Sequence, residues 1–169
     1  MNGIKTTVTM FSAILAAVAS FAVISSALCV ANADTSAPAS KLLSQKQPVK
    51  ASSVERDGLE AVNAVDGDES TRWSSEFNDA QWIYVDLGAV KNVTEVKIDW
   101  ETATAKAYDI EVSDDATKWT CIQSVKDNSA TGWLDYPKLT AKGRYVRLNL
   151  KARATEYGYS IFEFQVFGY

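Results

Sequence analysis

The chain contains no histidine. Without it no Ser-His-Asp or Cys-His constellation can be assembled. A zinc site would be left with cysteine and carboxylates, a poor donor set for that ion. Carboxylate pairs remain available, so this absence alone does not remove every enzyme class. Cysteine is nearly as scarce, with only Cys29 and Cys121. Cys29 falls in an apolar N-terminal run, so Cys121 alone is left for the folded part and no internal disulfide can form there. Many small exported domains rely on such bridges; this one must rest on core packing, with a metal as further support. Cys121, in Trp119-Thr120-Cys121-Ile122, reads as a buried inert thiol, with a reactive nucleophile as the alternative. Positive charge is in deficit. The 17 Lys and Arg less Lys5 leave 16 against 21 Asp and Glu, a balance of −5. That argues against nucleic acid and against anionic membranes as main partners. No long helical period and no internal repeat is present.

Residues 1–33 stand apart. Lys5 is their only charge, an apolar run covers Met10 to Val30, and Ala31-Asn32-Ala33 has the small-x-small form of a signal-peptidase site. The reading is a signal peptide and a secreted, extracellular protein; an uncleaved membrane anchor is the rival, because the run is long. Ser12, Ser20, Ser25 and Ser26 favour the signal, and Leu28 directly before Cys29 does not fit a lipobox. Residues 34–50, rich in Ser, Ala, Pro and Lys, read as a flexible tether. The compact domain is expected over residues 51–169, long enough for a core of ordinary size.

Within the domain the periodicity is that of strands. Val96-Lys97-Ile98-Asp99-Trp100, Tyr108-Asp109-Ile110-Glu111-Val112, Val146-Arg147-Leu148-Asn149-Leu150 and Phe162-Glu163-Phe164-Gln165-Val166 alternate apolar with polar residues. Such alternation marks strands with one face in the core. Gln81 to Leu87 is another, ended by Gly88. Turn-forming clusters separate them at Asp66-Gly67-Asp68, Ser113-Asp114-Asp115, Asp127-Asn128-Ser129 and Lys142-Gly143, and Leu59–Val65 forms a short helical turn. The pattern predicts an all-β, two-sheet sandwich whose end loops carry function. Trp82, Trp100, Trp119, Phe162 and Phe164 are expected in the core; Trp133 and Tyr157 lie in loop-like contexts, where an aromatic is more telling.

Two segments hold the chemistry. Asn63 to Trp73 is an oxygen-rich turn able to wrap a hard cation. The last eleven residues form a strand with a lone acid, Glu163, whose burial would need a partner. A calcium ion shared between them would supply it. The alternative is a plain acidic turn facing water.

Taken in order, Ala51-Ser52-Ser53, Asn63-Ala64-Val65-Asp66-Gly67-Asp68, Thr71-Arg72-Trp73-Ser74-Ser75, Gln81 to Gly88, Trp100-Glu101, Ala105-Lys106, Tyr108, Arg144-Tyr145-Val146-Arg147 and Tyr157 to Phe164 give the chain a family likeness. Over residues 51–169 it resembles the discoidin-like domains, also called coagulation-factor type C domains, and within them family 32 of the carbohydrate-binding modules. The resemblance implies a jelly-roll β-sandwich of the galactose-binding-domain type with about eight main strands. It implies a structural calcium held by the Asp66 side chain, the Asp68 carbonyl, Thr71 and Glu163, with the Ala64 carbonyl as a further ligand. It implies a non-catalytic, lectin-like carbohydrate-binding protein. Adhesion to a cell-surface protein or a membrane is the alternative, and the lack of a disulfide joining the domain ends weighs against it.

A sugar offers apolar C–H faces and a rim of hydroxyls, so its site needs an aromatic platform beside directed polar groups. Glu55, Arg72, Glu101, Arg153 and Tyr157 fall in four loop regions expected to gather at one end. Tyr157 is the expected stacking residue, freed by the permissive backbone of Gly158, with Trp133 the second choice. Arg72 has bracing of the Asp66 loop as its alternative, Glu101 a surface pair with Lys106, and Arg153 a hold on its own loop. The spelling Trp100-Glu101 and Arg153-x-Thr155 before Tyr157-Gly158 is similar to relatives attached to chitosanases and β-glucanases. That points to β-glucan or chitosan-type glycan ends, with Glu55 and Glu101 receiving an amino group, and to association with a separate glycoside hydrolase. The lack of histidine departs from the galactose-binding relatives. A hydrolase using Glu55 and Glu101 as a carboxylate pair is the remaining alternative.

Overall fold

The computed structural model describes residues 38–169. The expected signal peptide, its membrane-anchor rival and residues 34–37 of the expected tether lie outside the described residues. Nine strands and one short 3-10 turn make up the rest. The strands are β1 (Lys41–Leu42), β2 (Val49–Ala51), β3 (Trp73–Ser74), β4 (Gln81–Trp100) and β5 (Ala105–Ser113). They continue with β6 (Thr120–Val125), β7 (Gly132–Tyr136), β8 (Ala141–Arg153) and β9 (Ser160–Gly168); the 3-10 turn is Ala61–Val65. All pairings are antiparallel. The expected all-β sandwich is the fold observed.

β4 organises it. Gln81–Asp86 and Lys91–Val93 pair with β8, and Ile83–Val85 also with β2, whereas Val93–Trp100 pairs with β9 and, from Val96 on, with β7. The change of partner comes at Val93, beyond a register shift between Asp86 and Lys91 where Gly88 takes a φ of +77°, open to glycine at little cost. The strand thus crosses from one layer to the other. Alternation then fills the interior. Ile83, Val85, Ile98, Trp100, Tyr108, Ile110, Val146, Leu148, Leu150, Ile161, Phe164 and Val166 are all essentially inaccessible. At ~25 cal/mol per Å² of apolar surface removed from water, this interior is the main stabilising contribution in a domain without disulfides.

Four expectations need correction. The domain begins before residue 51: β1 pairs with β9, β2 pairs with β4, and buried Ser44 accepts from Val166 N at 2.9 Å while donating to the Phe164 carbonyl at 3.1 Å. Residues 41–50 are therefore part of the sandwich edge, not a tether. Trp82 and Trp119 are only partly buried; they lie on the outer face, because Ile83 and Val85 take the inner one. Phe162 is also partly exposed, since a bulge between Asp99 and Trp100 turns Ile161 inward in its stead. Cys121 is exposed, on an edge strand opposite Glu111. Its thiol is nevertheless raised above the ordinary value, by partial burial and then by the Asp109 and Glu111 charges, which disfavours the thiolate a nucleophile would need.

Candidate functional site

Loops at one end of the sandwich enclose an open cavity of about 290 Å³ lined by Glu55, Arg72, Phe77, Glu101, Thr102 and Tyr157, with Ser74 and Ser160 among the deeper residues. Four of the expected residues, Glu55, Arg72, Glu101 and Tyr157, are thus brought together. Each arrives from a different element. Glu55 follows β2 and is fixed by its N–H to the Ser74 carbonyl at 2.8 Å. Arg72 immediately precedes β3, and Glu101 immediately follows β4, its N–H donating to Ser160 O at 3.1 Å. Tyr157 lies just before β9.

The arrangement combines an aromatic wall with charge. Tyr157 is 56% exposed and meets Phe77, 52% exposed, edge to face with centroids 6.0 Å apart. Large apolar rings standing in water beside a polar cleft suit a ligand with apolar faces. Burial raises the cost of ionising Glu101, but hydrogen bonds from the Thr102 hydroxyl and the Ala103 N–H, with the Arg72 charge, outweigh it and hold the carboxyl below the usual range. Arg72 Nε is buried with no hydrogen-bond partner. Among the described residues Arg72 forms no salt bridge, so it does not brace the Asp66 loop through one, and Glu101 forms none with Lys106. Both charged groups are left directed at the cavity with donor and acceptor capacity to spare.

Two expected residues are placed elsewhere. Arg153 does not line the cavity; it holds its wall. Its Nε donates to Asp79 Oδ1 at 2.8 Å, and one terminal nitrogen reaches the carbonyls of Glu156 at 2.9 Å and Tyr157 at 3.2 Å. Trp133 is not in a loop but on β7, opposite Asp99 of β4, and borders a separate shallow cleft with Glu69, Lys97, Asp135 and Gln165. Gly158 acts otherwise than expected. Its φ is not in the left-handed region, but a Cβ there would fall 2.4 Å from the Ser75 carbonyl and 2.8 Å from that of Glu76. The loop needs the space, not the backbone freedom. Phe77 and Thr102 were not foreseen. Phe77 sits in Ser75-Glu76-Phe77-Asn78-Asp79, a polar run in which a lone aromatic was the available signal.

Four of the five expected cation ligands, Asp66, Asp68, Thr71 and Glu163, adjoin one turn. Asp66 closes the 3-10 turn that contains Ala64. The Thr71 hydroxyl lies 2.8 Å from Asp66 Oδ2 and 3.0 Å from the Asp68 carbonyl, so three oxygens converge. Glu163, only 2% exposed, accepts the Gly67 N–H at 2.8 Å and so adjoins the same turn from β9. Burial, with Asp66 and Glu69 adding, lifts its carboxyl above the ordinary range against the pull of the Gly67 N–H. Among the described residues no group of three His, Cys, Asp or Glu side chains is placed to hold a metal ion by itself. The oxygens that do converge are a carboxylate, a carbonyl and a hydroxyl, hard donors of the kind calcium takes and not those of a thiophilic or imidazole-seeking metal.

Comparison with known proteins gives this geometry a context. The model of the F5/8 type C domain matches residues 48–164. The crystal structure of chitosan-binding module 1 from the chitosanase/glucanase of Paenibacillus sp. IK-5 shares 41% identity over 76% of this chain and 99% of its own, with a TM-score of 0.72. Module 2 of that enzyme, solved in complex with chitotriose, shares 38% over 73% of this chain and 98% of its own, with a TM-score of 0.71. Among curated proteins, the polysaccharide lyase 8 family protein HylA of Enterococcus faecalis is 48% identical over 59 residues, 35% of this chain. The chain spans only 4% of the length of that protein.

Proposed function

The chain belongs to the F5/8 type C domain family and has the fold of a carbohydrate-binding module, and from that premise we propose that it is an exported, non-catalytic module holding β-glucan or chitosan-type glycan ends in the loop cavity. The observation that carries this reading is the meeting of Tyr157 and Phe77 with Arg72, Glu55 and Glu101 around one open cleft. A sugar ring would rest its C–H face on Tyr157 while its hydroxyls, or the ammonium of a glucosamine, reach the carboxylates. The likeness to modules that bind chitosan supports that substrate class. Glu101, held ionised, suits an ammonium partner and is unsuited to serve as the protonated acid of a carboxylate-pair hydrolase.

The proposal includes a structural calcium at Asp66, Asp68, Thr71 and Glu163, with the Ala64 carbonyl. When bound, the ion would neutralise the acidic turn and tie it to β9; the chain's own part is to point a carboxylate, a carbonyl and a hydroxyl into one small space. Export rests on the Met10–Val30 run with Ala31-Asn32-Ala33, and N-terminal sequencing of secreted material checks it.

An open cleft of this kind holds one glycan end with a Kd on the order of micromolar to millimolar, roughly −4 to −8 kcal/mol. Partnership with a separate hydrolase would raise retention on a polymer by added contacts. Calorimetric titration with chitotriose, laminaritriose and galactose, with and without calcium, tests the reading. Saturable heat with chitotriose or laminaritriose, abolished in Tyr157→Ala and Glu101→Gln, is expected. A flat trace with all three, or binding indifferent to both substitutions, removes it.

A further inference from the structure

The outer face of the β4–β8–β5 layer carries a second aromatic surface that the loop cavity does not use. Alternation sends Ile83, Val85, Val146, Leu148, Ile110 and Val112 inward. Outward, Trp82 stands opposite Asn149, which stands opposite Asp109; Tyr84 stands opposite Arg147, which stands opposite Glu111. Trp119, from the turn before β6, closes the surface. Trp82 and Tyr84 stack with centroids 5.4 Å apart and planes 15° apart, and Tyr84 meets Trp119 at 5.8 Å. The Arg147 guanidinium lies 4.1 Å from the Trp119 ring centre while its Nε donates to Glu111 Oε2 at 2.7 Å. Together Trp82, Tyr84, Trp119 and Arg147 line a shallow groove of about 550 Å³ bounded by Ala116 and Thr117.

Three properties of the groove define what it can hold. Its rings are fixed by one another and by Arg147, so little side-chain freedom is lost on binding. Its charges are already matched: Arg147 with Glu111, Lys151 with Asp109, and Arg144 with Asp86. A surface so balanced has little net attraction for a polyanion or a polycation, so a chain it holds is gripped by stacking and hydrogen bonds rather than by its charge. Finally, the outward residues Trp82, Tyr84, Tyr145, Arg147 and Asn149 include no aliphatic side chain. Flat rings interleaved with fixed donors and acceptors match alternating C–H faces and hydroxyls better than they match the aliphatic core of a protein partner. The loop that carries Phe77 leads directly into β4, pinned there by Gln81 Nε2 donating to Asn78 Oδ1 at 2.8 Å, so that Trp82 stands five residues along the chain from Phe77.

From these features we infer that the groove at Trp82, Tyr84, Trp119 and Arg147 is a second contact surface for the body of a polysaccharide chain whose end sits in the loop cavity. The inference rests on the carbohydrate-binding reading above and extends it from an end-binding site to a polymer-binding module. Contacts at two places on one chain make the second effectively intramolecular, so the two surfaces together hold a long glycan more tightly than either alone.

The test compares short and long ligands on the full chain. Nitrogen-edited NMR resolves the five tryptophan indole N–H signals, which single substitutions assign. With chitotriose or laminaritriose, signals near Tyr157 and Arg72 should move while Trp82 and Trp119 stay. With soluble long-chain chitosan or laminarin, the Trp82 and Trp119 signals should also move. In parallel, Trp82→Ala/Trp119→Ala should keep trisaccharide affinity within twofold and lose at least about tenfold for the polymer; Arg147→Lys, which keeps the charge and releases the Trp119 ring, should show a smaller loss in the same direction. Unmoved Trp82 and Trp119 signals with every polymer overturn the inference while leaving the loop reading intact if trisaccharides still bind. Movement of those two signals with protein concentration alone makes the face a protein contact and overturns it as well. No response to any glycan removes both readings. Polymer binding that survives Tyr157→Ala but fails in the double variant upholds the sheet surface and removes the loop site.

Discussion

Gly158 shows how much one missing methyl can hold in place. The loop bearing Tyr157 passes so close to Ser75 and Glu76 that a Cβ would collide with two backbone carbonyls, neither of which can rotate away. Gly158→Ala should therefore destabilise the domain by about 1–3 kcal/mol and displace Tyr157, weakening glycan binding beyond what the stability loss explains; thermal melts beside titrations measure the two effects separately. Asp86 makes a different kind of prediction. Arg144 donates to both its oxygens at 2.8 Å and holds its carboxyl below the ordinary range, against the opposing cost of burial. A carboxyl lowered in the folded state stabilises above its unfolded pKa, and that contribution disappears as pH falls through the folded value. Because Arg144 is 41% exposed, the pair contributes no more than about 1 kcal/mol. Asp86→Asn should lower the melting temperature slightly at pH 7, and the gap should narrow as pH falls below the ordinary carboxylate range. Single residues were also where the sequence spoke least evenly. Glu55, Arg72, Glu101 and Tyr157 were legible because each broke a strand pattern at a loop. Phe77 was not, since an isolated ring in a polar loop has no partner in the sequence; its partner, Tyr157, is supplied only by folding.

At the level of elements, period-two alternation located the long strands, because each needs one apolar face and one wet one. It failed in two physical circumstances. In Gln81-Trp82-Ile83-Tyr84-Val85 both faces are apolar in composition, so the pattern could not say which set points inward; the β-branched set does. The strands β1 and β2, of two and three residues, are too short to show any period, and they owe their order to the edges they pair with. They are not dispensable. A chain begun at Ala51 loses β1, most of β2 and the Ser44 bridge, and its melting temperature should fall on the order of 5 °C or more relative to one begun at Ser40. Ser44→Ala isolates the bridge: a Phe164 carbonyl and a Val166 N–H lose a buried partner, for about 1–3 kcal/mol. An unchanged melt in either case would mean that the N-terminal strands lie on the sandwich without supporting it.

For the whole molecule, the decisive junction is the one between the Asp66 turn and Glu163, which the sequence placed ninety-odd residues apart and the fold sets side by side. If the turn holds calcium as proposed, chelation should lower the melting temperature, since an ion bound only by the folded state stabilises by about 2.7 kcal/mol at a hundredfold excess over its Kd. Asp66→Ala should melt like the chelated protein and no longer respond to chelator; a melt that ignores chelator throughout removes the ion. The long strand β4 sets a broader condition on how such a molecule comes apart. Because one strand, Gln81–Trp100, pairs with β2 and β8 up to Val93 and with β7 and β9 from there on, loss of either set of pairings strips support from a strand that the other set needs. Heating should then give one calorimetric endotherm whose measured enthalpy equals the van 't Hoff value, with no half-melted species to collect on the way.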